Sequence, residues 1–367
     1  MRVPYSYLRE QFAGPDAILK DIQSLVESTQ YTLGPPLQEF ERAFADVIGA
    51  RHAVGVGTGT DALWLSLKAS GVAPGDEVIS APNSFIATTG AIVAAGAKPV
   101  YVDVTDDFNL DPDLIEAAIT PRTKALLPVH YAGNPAKMPR IMEIAERHRL
   151  PVVEDACQAI GAAIDGQRAG TFGITGGFSL HPLKNLNVWG DGGVIVTNSD
   201  EMAAKLRLLR NHGLRNRDEV EIFGYNSRLD TLQAVVGNHL IKDVEWITGT
   251  RIEYARRLDA GLAALAPDVI VPPRPGNVRH VFHLYMVEAR DRDGLLRHLT
   301  ERGVEAKIHY PIPLHLQPAA RIFGYKRGDF PITERQAGRI ITLPVHQHLT
   351  TEQVEYMIET VRAFYRR

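Results

Sequence analysis

Over its first two-thirds the chain alternates short runs rich in Val, Ile and Leu with helical patterns, and Gly, Pro or Asp stands at the joints. The candidate strands are Ala53–Gly57, Glu77–Ser80, Pro99–Val102, Ala125–Val129, Pro151–Asp155, Gly177–Leu180 and Gly193–Thr197. None alternates strictly between apolar and polar residues, which is the pattern of strands buried on both faces of a mostly parallel sheet. Asp111 followed by Pro112 reads as an N-cap with proline at the first helical position. Asp200 opens a helix with Met202, Leu206 and Leu209 on one stripe.

From about Trp246 the rhythm changes. A helix near Arg251–Leu265, a Pro-rich turn, a strand over Val281–Glu288, a charged helix around Asp291–Arg302 and a strand over Val304–Ile308 are expected. Thr350 and Gln353 form a capping box for the last helix. The expectation is a large α/β domain over 1–247, with a mostly parallel seven-stranded sheet, and a smaller α+β domain over 248–367. Neither a low-complexity tract nor a repeat of 20 to 50 residues interrupts this order.

Composition narrows the function. Of 367 residues, 45% are hydrophobic and 23% charged, as in soluble globular proteins. The net charge of -3 offers no basic surplus for nucleic acid. A single cysteine forms no internal disulfide and suits a reducing compartment. No apolar run approaches the roughly 18 residues that span a bilayer, and Met1 to Glu10 has no signal-peptide pattern. The expected location is cytoplasmic.

Ligands of open α/β sheets bind beyond the carboxyl ends of the strands. Three segments there carry polar residues. Gly57-Thr58-Gly59-Thr60-Asp61 offers a close backbone and a helix N-terminus to a phosphate, and reads equally as a plain glycine turn. Glu154 and Asp155 end a buried strand, where carboxylates are costly unless paired; one can hold a protonated ring nitrogen or cap the next turn. Cys157 reads as a small buried hydrophobe and not as a nucleophile. Lys184 follows a third strand in a loop rich in Gly, Asn and Pro, where partial desolvation makes an amine nucleophile; most loop lysines are simply solvated. His181 beside Pro182 fits a structural role as well as a catalytic one. A phosphate site, an acid for a pyridinium nitrogen and a Schiff-base lysine are together what pyridoxal 5′-phosphate (PLP) requires.

Those residues carry a family resemblance. The chain resembles the fold-type-I, PLP-dependent sugar aminotransferases of the DegT/DnrJ/EryC1/StrS group. The likeness runs from Gly34-Pro35-Pro36-Leu37 through Gly59-Thr60-Asp61, Glu154-Asp155-Ala156-Cys157-Gln158 and Ser179-Leu180-His181-Pro182-Leu183-Lys184. It continues through Arg210-Asn211-His212-Gly213 and Gly224-Tyr225-Asn226-Ser227-Arg228 to His309-Tyr310-Pro311. The resemblance implies that Lys184 forms the internal aldimine and moves the proton, and that Asp155 pairs with the pyridine nitrogen. It implies that Gln158 bonds the phenolic oxygen, and that Gly59, Thr60 and Ser179 hold the phosphate. Phe85 would stack on one ring face and Cys157 on the other, where the family more often has alanine. Asn226 would reach the phosphate of a neighbouring subunit, which implies a homodimer with shared sites. His181, Arg228, Lys307, His309, Tyr310 and His315 are candidates for substrate contact.

Lysine at 184 separates the chain from a sister group of sugar 3-dehydratases that has histidine there. The implied reaction moves an amine from an amino acid donor, glutamate in most of the family, to a keto sugar. The stretch Lys184-Asn185 with Gly190-Asp191-Gly192-Gly193 resembles the 3-amino branch of the family more than the 4-amino branch, where Glu commonly stands in place of Asp191, and a keto-octulosonate is an alternative substrate. Two rival readings differ in class. A nicotinamide oxidoreductase would use the strand–glycine–helix unit at Ala53–Leu63, but Thr60 stands where its last glycine belongs. Ser80 and Ala81 stand where the ribose-binding acid belongs. A non-catalytic regulator would have no need of the complete Lys184, Asp155 and Ser179 set. Metal chemistry has neither an H-E-x-x-H motif nor a cysteine cluster behind it.

Overall fold

The computed structural model describes residues 1–366. Seven strands build the large sheet: β1 (His52–Val56), β2 (Glu77–Ser80), β3 (Lys98–Tyr101), β4 (Thr123–Leu126), β5 (Val153–Asp155), β6 (Thr175–Ser179) and β7 (Gly193–Thr197). Their order is β1-β7-β6-β5 on one side and β4-β2-β3 on the other. Parallel bridges Leu126↔Val152 and Val129↔Asp155 join the two halves. The β2, β3, β4, β5 and β6 pairings are parallel, whereas β7 runs antiparallel to both β1 and β6. Residues of all these strands are largely buried, as their uniform apolar character requires.

Two helices leave this sheet towards the site. The first, α1 (Gly59–Ala69), follows β1; its N-cap is Thr58, whose hydroxyl accepts from Asp61 N at 2.9 Å. The second, α2 (Ile86–Ala94), follows β2 and starts immediately after Phe85. The helix opens at Asp200, as expected (Asp200–Leu209); Ser199 caps it, and the Asp200 carboxylate in its first turn faces the positive end of the helix dipole. Asp111 caps a short 3-10 turn with Pro112 at its start.

The C-terminal part builds a three-stranded antiparallel sheet from β8 (Val269–Ile270), β9 (Tyr285–Ala289) and β10 (Ile340–Leu343). Two differences from the sequence expectation have local causes. The run Val281–Glu288 becomes a strand only at Tyr285, because Phe282 takes a left-handed backbone conformation (φ 47°) that ends any extended run. Residues Val304–Ile308 form no strand. They make two isolated bridges, Val3↔Val304 and Lys307↔Thr342, to different partners. Val3 thereby joins the core of Leu258, Val287, Leu299, Ile341 and Met357. The N-terminus and the C-terminal part share one apolar cluster. The helix α3 (Val244–Leu262) runs unbroken across position 247/248. The capping box of Thr350 and Gln353 opens the last helix, α4 (Thr351–Tyr365).

Candidate active site

Consecutive strand residues point to opposite faces, and β5 uses this to divide its two carboxylates. Glu154 turns inward and is fully buried. It accepts from Gly170 N, Phe172 N and Gly173 N, each at 2.7 Å, and pairs with His130 Nε2 at 2.9 Å. That satisfies a buried carboxylate and fixes the turn before β6. Asp155 turns the other way, into a cavity of about 510 Å³. Its Oδ2 accepts from Thr88 Oγ1 at 2.7 Å, and its Oδ1 from Cys157 N at 3.2 Å. The Thr88 hydroxyl gives its one proton to Asp155, so in its 2.7 Å contact with Ser84 Oγ it is the acceptor. The sequence reading missed this Ser84–Thr88–Asp155 chain, because Thr88 sits on α2, far from Asp155 in sequence.

The cavity lies at the carboxyl ends of the strands. Gly59, Thr60, Phe85, Asp155, Cys157, Gln158, Ser179, His181, Lys184, His309 and Tyr310 all line it. Lys184 is half-buried there, and desolvation pushes its amine below the ordinary lysine range while the nearby Cys157 and Asp155 charges act the other way. Burial pushes the Cys157 thiol up, and its sulfur rests 3.8 Å from Gly59 O and 3.6 Å from Gly177 O. A thiol so held is a wall, not a nucleophile. Gln158 accepts from Ala132 N at 2.7 Å and donates to Tyr310 Oη at 3.2 Å. Tyr310 has φ 54°, a left-handed conformation. Burial lowers His309 to about 4 and raises Tyr310 to about 12. His181 is exposed and its imidazole is also depressed, first by desolvation and then by Lys184.

Tyr5, His283 and Asp191 also line the cavity. Tyr5 and His283 escaped the sequence reading: one lies in an N-terminal segment without motif, the other in the bend after Phe282. Four candidates lie elsewhere in this chain. His315 is buried away from the cavity, with Nε2 on Glu334 at 3.0 Å and its ring edge against Phe330. It packs inside the fold and does not line this cavity. Lys307 is exposed outside the lining. Arg228 donates to Asn211 Oδ1 at 2.8 Å, and Asn226 is exposed and pairs with Asn211 through the backbone.

These residues fit PLP. The N–H groups of Gly59 and Thr60 begin an 11-residue helix whose first turn has no intrahelical acceptors, a ready cradle for phosphate. A Cβ on Gly59 would stand 2.6 Å from Ser179 Cβ, so only glycine lets the cradle close on β6. Phe85 is 52% exposed although it lines the cavity, which leaves an aromatic face available for stacking. Asp155 and Lys184 supply the acid and the amine.

A seven-stranded sheet with a lysine and an aspartate across one such cavity defines the fold-type-I PLP class. Residues 14–362 match the DegT/DnrJ/EryC1/StrS aminotransferase family, and the chain belongs to it. It is 42% identical to dTDP-3-amino-3,4,6-trideoxy-alpha-D-glucose transaminase of Streptomyces venezuelae, over 98% of this chain and 96% of that one. It is 41% identical to UDP-N-acetyl-3-dehydro-alpha-D-glucosamine 3-aminotransferase of Acidithiobacillus ferrooxidans (98% and 97%). It is also 41% identical to a pleiotropic regulatory protein of Geobacillus stearothermophilus (100% and 99%). The crystal structure of S. venezuelae DesV superposes with a TM-score of 0.97 at 42% identity, covering 100% of this chain and 99% of that one. NtdA of Bacillus subtilis, solved with bound cofactor PMP, gives 0.93 at 33% identity over 100% and 86%. The protein is a PLP-dependent sugar aminotransferase, and the nicotinamide reading falls with that assignment. Among the described residues no helix is long and apolar enough to cross a membrane, and no cluster of His, Cys, Asp or Glu could hold a metal.

Proposed function

We propose that the protein transfers an amine from L-glutamate to C3 of a nucleotide-linked keto-deoxyhexose, in two half-reactions that share one site. The observation that carries this reading is the placement of the Lys184 amine and the Asp155 carboxylate in one cavity of about 510 Å³, ample for a cofactor and a sugar ring. When bound, PLP supplies an electron sink for the carbanion formed at the substrate carbon. Asp155 holds the proton on the ring nitrogen, and its own position is set by Thr88 and the Cys157 amide. Lys184, its basicity lowered by desolvation, takes and returns the proton at the reacting carbon. His181, His309, Tyr310 and Asp191 line the cavity as hydrogen-bonding groups for sugar hydroxyls. The C3 assignment is supported by relatives whose names specify 3-amino sugars, and these nucleotide-linked sugars weigh against the keto-octulosonate.

The active unit is a homodimer in this proposal. Asn226 is exposed at the end of a segment in which Phe223 is 98% and Val220 53% exposed, apolar surface suited to cover by a second copy.

Glutamate added to the yellow protein, without any sugar, should bleach it and release one equivalent of 2-oxoglutarate per site. A panel of keto sugars should then restore the colour, fastest with a nucleotide-linked 3-keto sugar. Restoration by free keto acids alone would overturn the substrate class. For the dimer, K184A and N226A subunits should each be inactive, and their mixture should regain about a quarter of wild-type activity through heterodimers. A mixture as inactive as its parts would sink the shared site.

A further inference from the structure

On the reading of the protein as a keto-sugar aminotransferase, we propose that the Tyr5 hydroxyl is a sugar-binding group, aimed by His309 and Thr342 to donate its proton to an oxygen of the keto sugar. Tyr5 and His309 both line the cavity of about 510 Å³. Tyr5 Oη lies 3.2 Å from His309 Nε2, and His309 Nδ1 lies 2.8 Å from Thr342 Oγ1. Thr342 belongs to β10, and its backbone exchanges two hydrogen bonds with Lys307, at 3.0 and 2.8 Å, which fix the strand against the segment that carries His309. Tyr5 is held from its own side. Its N–H donates to Glu305 Oε2 at 3.0 Å, next to the Val3↔Val304 bridge.

Burial sets the direction of this chain. His309 is neutral near pH 7, because desolvation first, and then the Lys184 charge, lowers it to about 4. One ring nitrogen therefore carries a proton and the other accepts one. Thr342 is fully buried, and its hydroxyl finds no partner other than that imidazole among the described residues. Were Nδ1 the donor, the threonine proton would lack an acceptor where no water reaches it, and such a buried orphan is costly. Thr342 therefore donates to Nδ1, and Nε2 donates to Tyr5 Oη. The phenolic proton is then the one left over. Burial pushes the Tyr5 hydroxyl up, so it keeps that proton, and Oη has no second partner among the described residues. Its outlet is the cavity. Both nitrogens of His309 are engaged, so the imidazole serves the sugar through Tyr5. The chain is uncharged from end to end, and Arg251, whose charge Tyr5 feels, does not line the cavity. A sugar hydroxyl or carbonyl oxygen suits such a donor, whereas a carboxylate would be buried there without an ion partner. The Lys184 charge acts on His309, which puts the donor at the reacting end of the sugar.

The two half-reactions of the whole enzyme are measured separately, as bleaching by glutamate and recolouring by a nucleotide-linked keto sugar. Wild-type protein that no keto sugar recolours would remove the keto-sugar reading and this proposal with it; the variants address Tyr5 alone. In Tyr5→Phe, kcat/KM of the sugar half-reaction should fall about fivefold to tenfold relative to that of the glutamate half-reaction, the size of one lost hydrogen bond. Thr342→Val keeps the shape and removes the first donor of the chain, so it should shift the same ratio in the same direction. Thr342→Ser should keep the wild-type ratio, and the double variant Y5F/T342V should lose no more than Y5F. A crystal soaked with the nucleotide-linked amino sugar should place a sugar oxygen within hydrogen-bond distance of Tyr5 Oη. If T342V does not fold, Y5F and the soaked crystal still decide. An unchanged ratio in Y5F, an equal fall in both half-reactions, or a bound sugar with no oxygen beside Tyr5 Oη would overturn the proposal.

Discussion

The Tyr7 hydroxyl donates to the carbonyl oxygen of Lys184 at 2.9 Å, so the N-terminal segment holds the loop that carries the reactive amine. Asn187 Nδ2 donates to the same carbonyl at 3.0 Å. Gln11 in turn donates to Asn187 at 3.0 Å, and Gln347 to Gln11 at 2.9 Å. A hydrogen-bonded path therefore links the C-terminal part to Lys184 through the first residues of the chain. Tyr7→Phe removes one bond from it, worth about 1 kcal/mol. We expect a small fall in unfolding stability and a larger, several-fold fall in kcat. Equal kcat in the variant would show that the loop is held without Tyr7.

Asp155 depends on Thr88 in the same way. Hydrogen bonds to charged groups contribute about 1.5–3 kcal/mol. Thr88→Val keeps the shape of the side chain and removes the donor 2.7 Å from Asp155 Oδ2. PLP should dissociate roughly tenfold or more faster, a factor set by that energy, and Thr88→Ser should restore retention. Spectrophotometry of cofactor release during dialysis measures it. Unchanged release would remove Thr88 from the positioning of Asp155.

What the sequence carried well was whatever lies at a strand end. Gly59, Asp155 and Lys184 each follow an apolar run, and the topology of an open α/β sheet brings such ends together. What it did not carry came from elsewhere. Tyr5 and Tyr7 reach the cavity region because Val3 pairs with Val304, a contact between the N-terminal segment and the C-terminal part that no local pattern encodes. Thr88 lies on a helix where a threonine reads as ordinary surface or core. His315 stands beside a conspicuous motif, yet its partner Glu334 and the ring of Phe330 draw it into packing. Residue type marks His309 and His315 alike; the fold places the first on the cavity and the second away from it.

Glu154 offers a stability test that leaves the cavity residues untouched. Its two oxygens accept from three backbone amides and from His130. Glu154→Gln puts an NH2 group where one of those oxygens accepts, so two donors face each other in a dry interior. A buried, mispaired polar group of this kind costs about 3 kcal/mol. Chemical denaturation should show that loss, with the chain still binding PLP under native conditions. A cost below 1 kcal/mol would mean that the turn at Gly170–Gly173 rearranges freely.

Acid should destabilise the fold through its buried imidazoles. Burial holds His309 and His346 neutral down to about 4, against an ordinary value of 6.5. Between those two pH values the unfolded chain binds a proton at each position and the folded chain does not. Stability rises with pH wherever the unfolded state binds more protons. The fold therefore loses stability as pH falls from about 6.5 towards 4, and neither residue adds a slope above 6.5. His280 and His283, pushed well below the ordinary value by burial, act in the same direction. In His346→Asn the slope of unfolding free energy against pH over that window should shrink by about one proton. His346 serves better than His309 here, because it lies outside the cavity lining and cofactor occupancy then stays constant. Denaturant midpoints at half-unit pH steps measure the slope, and an unchanged slope in the variant would mean that His346 takes up its proton without unfolding.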